Sequence, residues 1–463
     1  MSVLSAMSPR FGTSGLRGLV SALTEDLVAD HVRAFLGCCE TGGRVFVGYD
    51  LRPSSPALAE VVARTVRAAG QGVVMAGAVP TPALVDAARG AGAVMVTGSH
   101  IPADRNGLKF YTLGGEITKA DEAAIVAGLG RRLAAAAPGG ISEDRQAGAR
   151  FVKRFIAACP PGALARRRLG VFSHSSVARD LLVRMLAALG AEVVELGRAD
   201  SFVALDTEAV DADMRARLRG WARGLGLDAI VSADGDGDRP LVTDETGAVI
   251  PGDLLGQITA QMLGAETVVT PVSSNSGLEQ KGLGRVIRTR IGSPYVIAAM
   301  QAQGGRVIGF EANGGVLLGF DARLPAGVIP ALPTRDSFLP ILCVLLAAGE
   351  DPLSVRVARE PARFTAADRL QDARPEAMAR YTGALARDGA ARAGVLARLG
   401  LAEAELDLTD GVRMLCSDGR IVHVRPSGNA PELRLYVETE SAEASAGLLA
   451  RGLDLLRCEM DKA

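Results

Sequence analysis

The chain has 463 residues, 48% hydrophobic and 22% charged, a globular composition that excludes general disorder and, at about 150 residues per domain, gives room for several domains. Its 51 Lys and Arg nearly cancel its 52 Asp and Glu, leaving a formal charge of -1. Neither nucleic acid nor a membrane is therefore the expected partner, and any anion must be held by local cations and backbone N–H groups. The 6 cysteines (Cys38, Cys39, Cys159, Cys343, Cys416, Cys458) form no CxxC pair and read as reduced, mostly buried thiols. MSVLSAMSPRFGTSG carries no charged segment leading into an apolar run, and the apolar stretch around Phe338–Ala348 falls short of the roughly 20 residues that span a bilayer. These features read as a soluble cytoplasmic protein.

Along the chain one pattern recurs three times. RVFVGYD (44–50), LGVFSHSS (169–176) and TVVTPVSSNS (267–276) read as buried strands that run into small polar turns. Apolar-periodic segments follow, such as PALAEVVARTVRAAG and VARDLLVRMLAALG, whose Gly70 and Gly190 suit helix C-termini. Second strands are GVVMAG (72–77), AEVVELG (191–197) and RVIRTRIG (285–292), and third strands open GAVMVTGSH (92–100), LDAIVSADGDGD (227–238) and RVIGFEANGG (306–315). Strands alternating with helices predict mainly parallel sheets covered on both faces, with ligands beyond the carboxyl ends of the strands. Beyond about residue 355 a charged, Ala-rich stretch to about 402 reads as helix or linker. DGVRMLCSDGRIVHVRPSGNAPELRLYVETE then reads as antiparallel strands, and SAEASAGLLARGLDLLRCEM as an amphipathic helix, so the last part is α+β. The expected domains are 1–145, 146–247, 248–355 and 356–463.

The unusual residues fall where the third strands end. TGSHIPADRNGLKFY places the Ser99 hydroxyl on an exposed turn beside His100, with Lys109 ten residues on, which suits a phosphoryl acceptor among cations. DGDGDRP alternates Asp234, Asp236 and Asp238 with glycines, so several carboxylate oxygens converge as a hard-cation site for Mg²⁺ or Ca²⁺. An EF-hand is excluded, since Arg239 and Pro240 occupy its glycine and following positions and the preceding LDAIVSA is strand-like. In GFEANGG, Glu311 and Asn313 offer acceptors and donors for vicinal hydroxyls. RPSGNAPELR surrounds Gly428 with Arg425, Ser427, Asn429 and Arg434, a set able to hold a phosphate dianion. FGTSGLRG sets Arg17 in a Gly/Ser/Thr-rich loop.

These five segments, in this order across the whole chain, resemble the motifs of the α-D-phosphohexomutases, the phosphomannomutase and phosphoglucomutase superfamily. The resemblance implies three related α/β domains with mixed, mainly parallel sheets plus a C-terminal α+β domain around a central cleft. It also implies exchange of hexose 1-phosphate and hexose 6-phosphate through a phosphoserine and a hexose 1,6-bisphosphate, which serves as intermediate or activator. By motif position, Ser99 would be the phosphoserine and, with Asp234, Asp236 and Asp238, would ligate Mg²⁺. Arg17, His100 and Lys109 would line the reacting end, Arg239 would follow the metal loop toward the substrate, Glu311 and Asn313 would touch the sugar, and Arg425, Ser427, Gly428, Asn429 and Arg434 the non-reacting phosphate. Gly315 stands where many members have His, which leaves the general acid/base open. EANGG looks like bacterial phosphomannomutases, whereas PVSSNSGLE looks closer to phosphoglucosamine mutases; mannose phosphate is the expected substrate, with glucose or glucosamine phosphate as alternatives. A sugar-phosphate sensor needs no phosphoryl acceptor and is disfavoured by Ser99, the three aspartates and Lys109. The expected partner is a small sugar phosphate, and the assembly a monomer or homodimer.

Overall fold

The computed structural model describes residues 9–12, 15–134, 136–371, 373–427 and 432–462. They divide into two compact units, Met1–Val269 with Gly292–Val357, and Thr270–Ile291 with Ala358–Ala463. In the first unit, the strands Gly92–Val96 and Ala229–Ala233 are buried at every residue, as expected of Val- and Ala-rich strands covered on both faces.

The same arrangement occurs at three places in that unit. Arg44–Tyr49 pairs parallel with both Gly72–Ala78 and Gly92–Val96, and the latter turns back into Arg105–Thr112, which pairs antiparallel. Arg168–Phe172 lies parallel to Glu192–Leu196 and Ala229–Ala233, and the last turns back into Pro240–Val242. Thr267–Val269 run parallel to Val307–Gly309, and the strand Val307–Phe310 turns back into Val316–Leu318, itself paired with Leu332–Asp336. The sheets are thus mixed and mainly parallel. In each, the turn between the third strand and its antiparallel return carries one polar motif: 97–104, 234–239 and 311–315. Gly15–Leu19 extends the first sheet beside Arg105–Thr112, so Arg17 sits on a strand. Gly70 and Gly190 have φ of 80° and 97°, the left-handed values predicted for helix ends.

Helix Phe338–Ala348 is almost wholly buried in this unit. The Phe338 ring lies 5.2 Å edge-on from Phe151 and 6.0 Å, stacked, from Phe155. Among the described residues no helix is long and apolar enough to cross a membrane.

The second unit contains a fully antiparallel sheet in the order Phe364–Leu370, Leu433–Thr439, Ile421–Pro426, Val412–Cys416, Glu403–Asp407. The SDGR hairpin and the closing helix, Ala442–Lys462, are as predicted. Phe364–Leu370 differs from the helix or linker expected there. Only its Leu370 is buried, so no apolar alternation marks it, and its ladder with Leu433–Thr439 makes it a strand. The thiols also differ from the mostly buried set expected: Cys159, Cys343 and Cys416 are buried, but Cys38 and Cys458 are exposed.

Replacing Phe338 with Ala should remove the shared aromatic contact and leave a cavity, costing about 3–5 kcal/mol. Chemical denaturation of the two proteins side by side measures this.

Candidate functional site

The Ser99 turn is a strained loop held from behind. Ser99 has φ 54°, a left-handed value that is uncommon for a residue with a side chain and typical of functional turns. Its backbone N–H donates to Thr97 Oγ1 at 2.7 Å, and Thr97 Oγ1 donates in turn to Asp50 Oδ2 at 2.7 Å. The exposed position expected for Ser99 is corrected, because its side chain is wholly buried. The reason is the acidic loop packed over it: a Cβ on Gly235 would lie 2.7 Å from the Ser99 carbonyl oxygen, so only glycine admits this approach.

That contact delivers Ser99 Oγ to Asp234, where it donates to Oδ2 at 2.5 Å. The acidic loop is itself tied down, since Thr81 N–H donates to Asp236 O at 2.9 Å, Ser176 Oγ to Asp234 O at 2.7 Å and Ser337 Oγ to Gly237 O at 2.7 Å. Each of the last two aspartates is gripped by a single oxygen. Asp236 Oδ2 accepts from Thr81 Oγ1 and Lys109 Nζ, both at 2.6 Å. Asp238 Oδ2 accepts from Lys109 Nζ at 2.6 Å and from Arg335 Nη2 and Nε at 2.8 and 3.1 Å. Their Oδ1 atoms are buried without a hydrogen-bond partner. One oxygen from each of the three aspartates lies within 4.8 Å of the others. Three buried carboxylates brought this close, two of them with an oxygen that has no hydrogen-bond partner, suit a hard divalent cation, so the residues present fit one.

The charges act on one another strongly. Burial, then the neighbouring Asp236 and Asp238, push the Asp234 carboxyl well above the usual carboxylate range. Burial opposes ionisation of Asp238 too, but Arg335, Lys109 and Arg239 outweigh it and hold that carboxyl well below the usual range. Lys109, also opposed by burial, is kept cationic by Asp236 and Asp238. Burial and the cations Arg239 and Arg17 drive His100 far down, so its imidazole is neutral; its Nδ1 lies 3.3 Å from Ser99 Oγ. Burial and Arg239 lower Arg17 to about 10, which still leaves a cation at neutral pH. Arg239 Nε stands 3.8 Å from Asp238 Oδ1.

The third loop joins this cluster through Arg335. Arg335 Nη1 donates to Glu311 Oε2 at 2.9 Å, and Asn313 Nδ2 reaches the same oxygen at 3.4 Å. Ser99, His100, Lys109, Arg17, the three aspartates, Arg239, Glu311 and Asn313 thus all belong to the first unit. In the second unit, Arg425 and Arg434 are direct cross-strand partners. Like charges placed opposite each other repel, and they are partly offset by Asp410 Oδ2, 2.9 Å from Arg425 Nε, and by Glu432 Oε2, 3.1 Å from Arg434 Nη2. Ser427 N–H donates to Glu432 O at 2.8 Å. Gly428 and Asn429 lie outside the described residues.

Sequence reasoning missed Arg52 and Arg335. Arg52 is buried and donates to four carbonyls of the Ser99 turn, those of Ser99, Ile101, Pro102 and Arg105, at 2.6–3.0 Å. Asp50 accepts from its Nε at 3.1 Å, and the guanidinium stacks 3.9 Å from the Phe202 ring centroid. The available signal was the GYDLRPSS turn, a charged pair at the carboxyl end of a buried strand. Arg52→Met should leave Asp50 uncompensated and cost about 3–5 kcal/mol. Hydrogen exchange of the 97–105 amides should quicken, and Arg52→Lys, which cannot reach four carbonyls at once, should restore only part of the protection.

Three stretches of the chain match family descriptions: residues 8–133 "Phosphoglucomutase/phosphomannomutase, alpha/beta/alpha domain I", 243–364 the corresponding domain III, and 355–454 the C-terminal domain. A phosphomannomutase of Sinorhizobium fredii (strain NBRC 101917 / NGR234) is 44% identical, over 98% of this chain and 100% of that protein. One from Salmonella muenchen is 39% identical, over 100% and 98%. A phosphoglucomutase/phosphomannomutase family protein of Burkholderia thailandensis, known from its crystal structure, superimposes with a TM-score of 0.76 at 22% identity, over 99% of this chain and 98% of that one. With its polar loops set at the ends of repeated third strands and these full-length likenesses, the chain belongs to the phosphoglucomutase/phosphomannomutase family, the α-D-phosphohexomutases.

Proposed function

We propose that the chain is a hexose-phosphate mutase of the phosphomannomutase type, moving a phosphoryl group between the 1- and 6-positions of a sugar by way of phosphorylated Ser99 and a hexose 1,6-bisphosphate. The observation that carries this reading is the 2.5 Å contact of Ser99 Oγ with Asp234, beside two buried carboxylates with bare oxygens. Mannose phosphate as substrate is supported by the two phosphomannomutases matched end to end at 44% and 39% identity.

In this reading Asp234, Asp236, Asp238 and phosphorylated Ser99 would hold Mg²⁺. The ion's contribution when bound is to neutralise the charge spread over the equatorial oxygens of the transferring group. A sugar hydroxyl oxygen forms the new bond to phosphorus as the bond to Ser99 Oγ breaks. In net the hydroxyl's proton passes to Ser99 Oγ, the oxygen the phosphoryl group leaves; His100, held neutral by burial and the cations Arg239 and Arg17, lines that oxygen with its Nδ1 3.3 Å from Ser99 Oγ. Lys109 and Arg17 remain cations and hold the phosphoryl oxygens. Arg239 extends the cationic lining, Glu311 and Asn313 hydrogen-bond the sugar hydroxyls, and Arg425, Ser427, Gly428, Asn429 and Arg434 take the non-reacting phosphate. Once the bisphosphate has turned over, Ser99 Oγ takes the other phosphoryl group and the hexose 6-phosphate leaves.

The same proposal divides the chain into four domains, 1–145, 146–247, 248–355 and 356–463, supported by the separate sheets. It places the enzyme in the cytoplasm as a monomer or homodimer, with the sugar phosphate as its small-molecule partner.

Intact-mass spectrometry of the purified protein should find one added phosphate that maps to Ser99 and vanishes in Ser99→Ala; phosphate persisting in that variant would place the acceptor elsewhere. Asp236→Asn should lower turnover of mannose 1-phosphate about 10²-fold or more with circular dichroism unchanged, and undiminished turnover would refute the metal assignment. Running glucose and glucosamine 1-phosphates in the same assay ranks the substrates.

A further inference from the structure

Arg335 is the largest charged side chain, apart from Arg52, to be fully buried, and no sequence motif pointed to it. Its guanidinium spends Nη2 and Nε on Asp238 Oδ2 and Nη1 on Glu311 Oε2. It therefore bridges the acidic loop and the third-strand loop of the next sheet with one rigid, planar fork, the geometry for which arginine is suited and lysine is not. The bridge has two local consequences. It occupies the Asp238 oxygen that Lys109 also takes, so Oδ1 is the oxygen left bare. It also fixes one oxygen of Glu311, which leaves the rest of that carboxylate with a defined direction.

Arg335 further accounts for Gly315. A Cβ at residue 315 would come within 2.9 Å of Arg335 Cδ and 3.1 Å of its Cβ, and within 2.9 Å of the Asp238 carbonyl oxygen. The stem of the arginine thus fills the space a side chain at 315 would need. Arg335 and Gly315 form one packing solution, in which the cation comes from Leu332–Asp336 and reaches across the turn.

We propose that Arg335 is a positioning and specificity-determining residue, which sets the orientation of Glu311 relative to the acidic loop and so determines how tightly the sugar is read. The proposal rests on the reading of Glu311 as the residue that meets the sugar hydroxyls. If it holds, Arg335 acts through Glu311 and its loss is felt in sugar binding, whereas a residue needed only for folding lowers the amount of folded protein and leaves the affinity of what remains unchanged.

The test is calorimetric binding of mannose 6-phosphate, with Mg²⁺ present, to the full chain and to Arg335→Lys, Arg335→Met, Glu311→Gln and Arg335→Met/Glu311→Gln, with thermal melts recorded alongside. Arg335→Lys retains the charge and guards against failure of Arg335→Met to fold. The expected result is at least a tenfold loss of affinity in Arg335→Lys and in Glu311→Gln, with the double variant no more than about twofold weaker than Glu311→Gln, the non-additivity of residues acting as a unit. Wild-type affinity in a folded Arg335→Lys, or losses that multiply in the double variant, would overturn the proposal. If the wild-type chain binds the sugar phosphate without turning over the 1-phosphate, the mutase reading fails while the binding cycle still judges Arg335. If the wild-type chain does not bind it at all, both fall.

Discussion

Lys109 stands 2.6 Å from both Asp236 and Asp238, and the rest of the site depends on that clasp. Three buried carboxylates at alternate positions repel one another and lose their hydration, a cost offset by cations at contact distance from Asp236 and Asp238 and by hydrogen bonds to Asp234. Lys109 arrives from the first sheet and Arg335 from the third, so the acidic loop of the second sheet is compensated by its neighbours. The arrangement is stable only when the three sheets are assembled, which links the integrity of the fold to the chemistry of the site.

The clasp also selects which oxygens are left. Lys109 and Arg335 bind Oδ2 atoms, and the Oδ1 atoms of Asp236 and Asp238 have no hydrogen-bond partner, Arg239 Nε standing 3.8 Å from the latter. A buried acceptor without a hydrogen-bond partner is costly in a folded protein, and its presence twice in one loop fits a group of carboxylates that could hold a metal ion. Ser99 shares this logic. Its left-handed backbone is maintained by Thr97, Asp50 and Arg52, so the strain of the turn is balanced by a buried polar network behind it.

Much of this was legible in advance. The threefold strand pattern, the position of each polar loop at the end of a third strand, and the hairpin and helix near the C-terminus are consequences of local periodicity and turn chemistry. Strand Phe364–Leu370 was not legible, because it is an edge strand with a single buried side chain and its identity lies in the partner ladder. Arg335 was hidden for a related reason: in PTRDSF nothing local separates a buried bridging arginine from a solvated one.

The sequence by itself determined the residue types at the ends of the strands, the glycines that let the loops turn, and membership in a family whose motifs are short and contiguous. The tertiary structure alone decided that the Ser99 hydroxyl is buried against Asp234, that Lys109 joins two aspartates more than a hundred residues away, and that Arg52 and Arg335 are parts of the site. The physical reason is range. Turn geometry and hydrophobic period act over a few residues and are written in order along the chain, whereas the compensation of buried charge depends on distance in space and becomes defined only when separate sheets are packed together.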